Sequence, residues 1–186
     1  MNGVGWIIVI VLAGLAAFVL LAYNSLVRRR NQVHEAWSDI DIQLKRRYNL
    51  IPNLVETVKG YAGHEREAFE SVTAARAQAL GAESPRAQAQ AENALTSTLK
   101  TLFAVAEAYP DLKANANFLE LQRELSDTEN KIQAARRFYN SIVRDYNTAI
   151  EQVPTTLVAR LFSFKQAEFF ELGDQASRAV PKVNFT

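Results

Sequence analysis

The sequence predicts an all-α protein, in which an N-terminal transmembrane helix continues into an antiparallel, up-and-down four-helix bundle. Three observations lead there. Residues 1–22 contain no charged side chain, so all 21 basic and 20 acidic residues follow Ala22. Beyond that stretch the apolar residues recur at steps of three and four, the period of a helix with one buried face, and nowhere in a sustained alternation of two. Four of the five prolines, Pro52, Pro85, Pro110 and Pro154, then divide the charged part into pieces of similar length. Proline removes a helix-interior hydrogen bond and restricts the residue before it, so each is a natural boundary.

Residues 1–3 form a short lead, and residues 4–22 form the transmembrane segment. Nineteen residues at helical rise span roughly 28 Å, close to the hydrocarbon thickness of a bilayer. The anchor residues singled out are Trp6, Ile7, Val11, Gly14, Phe18, Leu21 and Tyr23. Trp6 and Tyr23 stand near the two ends, where amphipathic rings favour the interface. A cleaved signal peptide would call for a basic n-region, and Met1-Asn2-Gly3 offers no basic side chain. Ala13, Gly14 and Ala17 make a small-residue patch of the kind that lets transmembrane helices approach closely. Arg28, Arg29 and Arg30 follow the span. By the positive-inside rule they place the N-terminus outside and the remaining chain in the cytoplasm, as a single-pass membrane protein.

Residues 23–153 are read as the bundle, with breaks near 50–52, 81–85 and 109–115. The first helix carries Val33, Trp37, Ile40, Leu44, Tyr48 and Ile51 at helical spacing. Neither glycine nor proline separates it from the anchor, so the two are expected to form one continuous helix. The second carries Val55, Val58, Ala62, Phe69, Val72 and Ala79. Gly81 and then Ser84-Pro85 read as a helix stop followed by an N-cap with proline at N1. The third, rich in alanine, carries Ala91, Leu95, Leu99, Leu102 and Val105, and Tyr109-Pro110-Asp111 reads as a turn. The last is the most regular. Phe118, Leu121, Leu125, Thr128, Ile132, Ala135, Tyr139, Ile142, Tyr146, Ala149 and Val153 form a heptad seam suited to shallow-angle packing in a bundle.

A Tyr-Asn pair recurs at Tyr23-Asn24, Tyr48-Asn49, Tyr139-Asn140 and Tyr146-Asn147. The tyrosines are expected to pack at the seam while the asparagines satisfy polar contacts between helices. Residues 154–186 form an aromatic-rich tail. Half of the ten phenylalanines lie there, at Phe162, Phe164, Phe169, Phe170 and Phe185. In an up-and-down bundle the tail emerges beside the bilayer. Leu161, Phe162, Phe164, Phe169, Phe170 and Leu172 then either lie in the membrane interface or pack against protein.

Several stretches together resemble one known family. They are Glu35-Ala36-Trp37-Ser38-Asp39-Ile40-Asp41, Ile51-Pro52-Asn53-Leu54-Val55, Val58-Lys59-Gly60-Tyr61-Ala62, Tyr109-Pro110-Asp111-Leu112-Lys113-Ala114-Asn115 and Thr128-Glu129-Asn130. In these and in the stretch from Phe162 to Phe170 the chain is similar to the LemA family of bacterial membrane proteins. The resemblance implies an N-terminal anchor followed by an up-and-down four-helix bundle. It supplies no agreed biochemical activity. Some members are lipoproteins, a route closed to this chain because it contains no cysteine.

No catalytic constellation emerges, so the chain is read as not an enzyme, with no cofactor, no metal and no small-molecule substrate. His34 and His64 are the only histidines. His64-Glu65 opens like a zincin helix but lacks the second histidine at i+4. Glu35, Asp39, Glu124 and Glu129 lack the Glu-x-x-His partners of a di-metal bundle. Phosphate loops, dinucleotide fingerprints and nucleophile elbows are missing. A formal net charge of +1 argues against nucleic acid as a partner. The basic run Lys45-Arg46-Arg47 is read either as cations favourably placed near a helix C-terminus or as a docking patch for acidic partners. The expected partners are therefore the lipid bilayer, further copies of the chain, and a membrane protein. The functional expectation is a structural, scaffolding or self-assembling module. A regulatory adaptor for a membrane protease or envelope-stress component is the alternative, followed by an enzyme with an unrecognised site.

Overall fold

The computed structural model describes residues 3–171, so Leu172 and Phe185 of the tail, together with Met1 and Asn2, lie outside the described residues. Six helices and no strand occur among the described residues: α1 (Gly3–Lys59), α2 (Arg66–Leu80), α3 (Pro85–Glu107), α4 (Pro110–Lys113), α5 (Ala116–Glu151) and α6 (Thr155–Leu161). The all-α class follows directly.

Helix α1 runs unbroken from the apolar segment into the charged part of the chain, as the absence of helix breakers there predicts. It also corrects one expected boundary. The break foreseen near 50–52 does not occur, because Pro52 lies inside α1 and the helix continues to Lys59. A proline at position 52 has no N–H for the carbonyl of Tyr48 one turn back. That carbonyl instead accepts the Nε–H of Arg76 at 2.8 Å. The turn falls at Gly60 to Glu65, where the N–H groups of Tyr61 and Ala62 both bond the carbonyl of Val58. The boundary at 81–85 is built as the residues suggest. α2 stops at Leu80, and the Ser84 hydroxyl caps α3 by accepting the Ala87 N–H at 3.2 Å, with Pro85 at the first turn. The segment between α3 and α5 holds the single turn α4, and the Asn115 side chain accepts the Phe118 N–H at the start of α5.

By contacts the chain separates into two compact units. The first comprises residues up to Ile40 together with residues 135–168. Its interior contains Leu26, Val33, Ala36 and Ile40 of α1, Tyr139, Val143, Tyr146 and Ile150 of α5, and Val158 and Ala159 of α6. Trp37 packs against Tyr139 with ring centroids 5.3 Å apart. The second comprises residues 41–134, joined by Phe169 and the described residues after it. Its interior contains Leu44, Ile51, Leu54 and Val58 of α1, Phe69 and Val72 of α2, Leu95, Leu99 and Leu102 of α3, Phe118 and Ile132 of α5, and Phe170. Alanines 68, 75, 79, 89 and 91 are buried on α2 and α3, which pack directly on each other. Small side chains permit such close approach.

The heptad seam of α5 is buried at Phe118, Leu125, Thr128, Ile132, Tyr139 and Tyr146. It does not extend to Val153, which is 81% exposed. The helix has already ended at Glu151, as expected for a chain approaching a proline at 154.

Candidate functional site

Two polar constructions stand out, one in each unit. The second unit buries a charged network. Glu92 of α3 is fully buried, and both of its carboxylate oxygens are occupied. Oε2 accepts from Arg47 at 3.0 Å, while Oε1 accepts from the Tyr48 hydroxyl and from Gln88 Nε2. Arg47 also donates to the Thr96 hydroxyl at 2.8 Å and pairs with Glu129 of α5 at 3.2 Å. Gln88 completes the set by donating to the Tyr48 hydroxyl and to the carbonyl of Ala79 at the end of α2. Four helices thus meet in one hydrogen-bonded cluster. Burial pushes the Glu92 carboxyl above the ordinary glutamate range, opposed by its donors Tyr48, Arg47 and Gln88. The Tyr48 phenol is also raised, first by burial and then by its bond to Glu92.

Chemically this cluster is saturated. A general acid or base needs an oxygen directed at substrate, and here each Glu92 oxygen already meets a donor from the protein itself. Its physical effect is on helix pairing. A shifted register would strand a buried carboxylate or guanidinium, an outcome costing several kcal/mol.

The sequence reading misassigned Arg47, which is neither a helix-end cation nor part of an exposed docking patch. Only Lys45 and Arg46 of that run are exposed, and Lys45 pairs with Asp41 at 2.6 Å. Glu92 and Gln88 escaped notice altogether, although a signal existed. Continued backward, the stripe Leu102, Leu99, Leu95 steps next onto Glu92 and then Gln88 at the same three-four spacing, which places both on the buried face.

The first unit carries a different construction. After α6 the chain turns and lies along α5 as an extended strap. The turn is a Schellman closure: Phe164 N–H bonds the Ala159 carbonyl and Ser163 N–H bonds the Arg160 carbonyl, with Ser163 at φ 56°. Three residues from the Tyr-Asn pairs then hold the strap. The Tyr146 hydroxyl donates to the Lys165 carbonyl at 3.0 Å, and the Tyr139 hydroxyl donates to the Glu168 carbonyl at 2.8 Å. Between them the Asn147 amide donates to the carbonyl of Ala167 at 3.0 Å and accepts its N–H at 2.9 Å. An extended segment has no helical partners of its own, so these side chains supply them. Burial, together with the nearby Glu168 charge, pushes the Tyr139 phenol up to about 12.

The tail phenylalanines separate by environment. Phe170 is fully buried in the second unit and Phe169 is partly exposed. Phe164 sits in the first unit under Arg30, whose guanidinium lies 5.5 Å from its ring, and edge-on to Tyr23 at 5.7 Å. Phe162 contacts Tyr23 at 4.7 Å yet remains 48% exposed. Of the anchor residues, Trp6, Ile7, Val11, Gly14 and Leu21 are exposed, Phe18 is partly so, and no protein atom comes near a side chain placed at Gly14. No residue in the most apolar window of α1 is buried by protein. His34 and His64 are both exposed. Among the described residues no group of three His, Cys, Asp or Glu is placed to hold a metal ion. A groove of about 660 Å³ opens in the second unit between Lys59, Arg66, Phe69 and Thr73, and shares no residue with the Glu92 cluster.

The sequence profile of the LemA family matches residues 36–185. This chain belongs to the LemA family. Its relatives include protein LemA of Metamycoplasma hominis, 27% identical over 152 residues that cover 81% of this chain and 69% of the relative. They also include magnetosome protein MamQ of Magnetospirillum gryphiswaldense, 25% identical over 185 residues, 84% of this chain and 68% of the relative. Magnetosome protein MamQ 2 of Paramagnetospirillum magneticum is 25% identical over 181 residues, with 83% and 66% covered. The family assignment agrees with the resemblance read from the motifs. With α1 it describes a membrane-associated helical protein with an N-terminal apolar helix long enough to cross a bilayer.

Proposed function

We propose that this LemA-family protein is a membrane-tethered scaffold, which presents helical faces to further copies of itself and performs no catalysis. The observation that carries the reading is the continuity of α1, with no break between the apolar segment and residue 59. A passive tether needs only a flexible linker. A continuous helix fixes the orientation of the residues just beyond the membrane, which matters when the chain must present a surface in register with its neighbours. The saturated Glu92 cluster supports the same reading, because its polar groups stabilise the fold and leave no acceptor for a substrate. By the positive-inside rule the span sits in the inner membrane with the N-terminus outside and the helical region in the cytoplasm.

The test exploits the cysteine-free sequence. Phe138, exposed on α5, is replaced by cysteine in the full chain, and native membranes are treated with a short bismaleimide. An adduct at twice the chain mass is expected. A chain that remains monomeric would overturn self-assembly, and a single adduct with a different membrane protein would favour the adaptor reading.

A further inference from the structure

Besides the span itself, the first unit has an apolar surface that none of the described residues covers, and its position identifies what it faces. Helix α6 buries Val158 and Ala159 and turns Leu157 and Leu161 outward, at 65% and 71% exposure. Val153 before the helix and Phe162 after it are exposed as well, at 81% and 48%. Leu157 and Leu161 are one helical turn apart, so they share a face. Four large apolar side chains exposed within ten residues are costly in water unless something removes them from it.

Phe162 ties this surface to the anchor. Its ring packs on Tyr23, the residue immediately after the charge-free stretch of α1. The end of the apolar span and the end of α6 are therefore within one aromatic contact of each other. The charges fit the same picture. Arg28, Arg29 and Arg30 lie within two turns of Tyr23 on α1, and Arg160 projects from α6 itself, all of them exposed. Apolar side chains flanked by arginine, without a carboxylate on α6, match the junction between acyl chains and anionic headgroups.

We infer that Val153, Leu157, Leu161 and Phe162 form a second membrane contact, which lays α6 in the headgroup–acyl boundary of the bilayer that the α1 span crosses. The inference rests on the reading of α1 as the membrane anchor. It differs from an aromatic tail dissolved in the interface, because Phe164 and the strap after it are held by protein. The contact comes from the α5–α6 turn and α6. With α1 it gives the first unit two attachments, which restrict its tilt.

Single cysteines at Leu157→Cys, Leu161→Cys, Val11→Cys and Ser141→Cys, carrying nitroxide labels, are compared in the full chain. The protein is reconstituted into vesicles of phosphatidylcholine and phosphatidylglycerol, and collision with lipid-dissolved oxygen and with a water-soluble nickel chelate is measured. Labels at 157 and 161 are expected to favour oxygen several-fold over the exposed α5 position 141, approaching the value at 11. Nickel access at 157 and 161 equal to that at 141, with 11 still in lipid, overturns the second contact and leaves the anchor intact. Nickel access at 11 as well overturns the anchor reading itself. Shielding of 157 and 161 from both reagents assigns the surface to protein and likewise overturns the inference.

Discussion

The two units use tyrosine in opposite ways. In the second unit Tyr48 donates to a buried carboxylate that is also held by an arginine and a glutamine, so polar side chains satisfy one another. In the first, Tyr139 and Tyr146 donate to carbonyls of a strap with no secondary structure, so side chains stand in for missing backbone partners. The physical problem differs. Helices that pack have most of their backbone groups satisfied internally and must chiefly reconcile the polar side chains they bury. An extended segment on a helix brings unpaired N–H and C=O groups, which the helix must meet with its own side chains. The first arrangement ties stability to charge, and the second ties a segment in place with neutral bonds.

The sharpest way to break this contrast is at Glu92. Glu92→Ala leaves the Arg47 guanidinium buried with only Glu129 and Thr96, and should cost about 3 kcal/mol or more, read as a lowered thermal midpoint of the full chain in mild detergent. Arg47→Met combined with Glu92→Leu removes both charges and should recover most of that loss. A double variant as unstable as Glu92→Ala would show that the cluster acts through shape and not charge.

Asn147→Ala tests the other unit. It removes both bonds to Ala167, a loss of about 1–3 kcal/mol felt locally by the strap. Faster hydrogen exchange at the Ala167 amide and faster tryptic cleavage after Lys165 should appear, while the global midpoint moves little. A fall in the midpoint matching that of Glu92→Ala would erase the distinction between the units.

A smaller effect is expected where Pro52 and Arg76 meet. Arg76→Met deprives the Tyr48 carbonyl of its donor and should cost about 1 kcal/mol. In a Pro52→Ala background the restored N–H can take that carbonyl, so the same change should cost less. A double-mutant cycle with no coupling would separate the two residues.

The smallest effect is on pH dependence. Burial raises the Glu92 carboxyl, so the folded chain holds that proton more tightly than the unfolded chain. The contribution is full below the unfolded glutamate range and is lost as pH rises through the higher folded value. Glu92→Gln should flatten the stability profile over that interval, and an unchanged profile would assign the slope to other groups.

The sequence exposed much of this architecture and concealed the rest for identifiable reasons. The charge-free run of 1–22, the Ser84-Pro85 start and the three-four stripe through Ile132 and Tyr139 act locally, and their consequences appear at those residues. Where α1 passes through Pro52, the Tyr48 carbonyl takes its donor from Arg76, twenty-four positions after the proline, and no local rule supplies that donor. Arg47 and Glu92 were hidden because each reads as a solvated charge until its partner is in place. Of the Tyr-Asn pairs, Tyr48, Tyr139 and Tyr146 are buried as expected, while Asn147 satisfies polar groups and Asn24 and Asn49 are exposed. What Asn147 satisfies, the backbone of a strap and not another helix, becomes apparent only when the tail is seen against α5.

The continuity of α1 also makes residue number equivalent to angle. Each residue advances a helix by about 100°. One residue inserted between Tyr23 and Leu26 would therefore swing the small-residue patch of Ala13, Gly14 and Ala17 about a quarter turn away from the face that carries Leu26 and Val33, whereas seven inserted residues would restore it to within about 20°. Length variation in that stretch should be tolerated by phase and not by size, as in a keyed shaft.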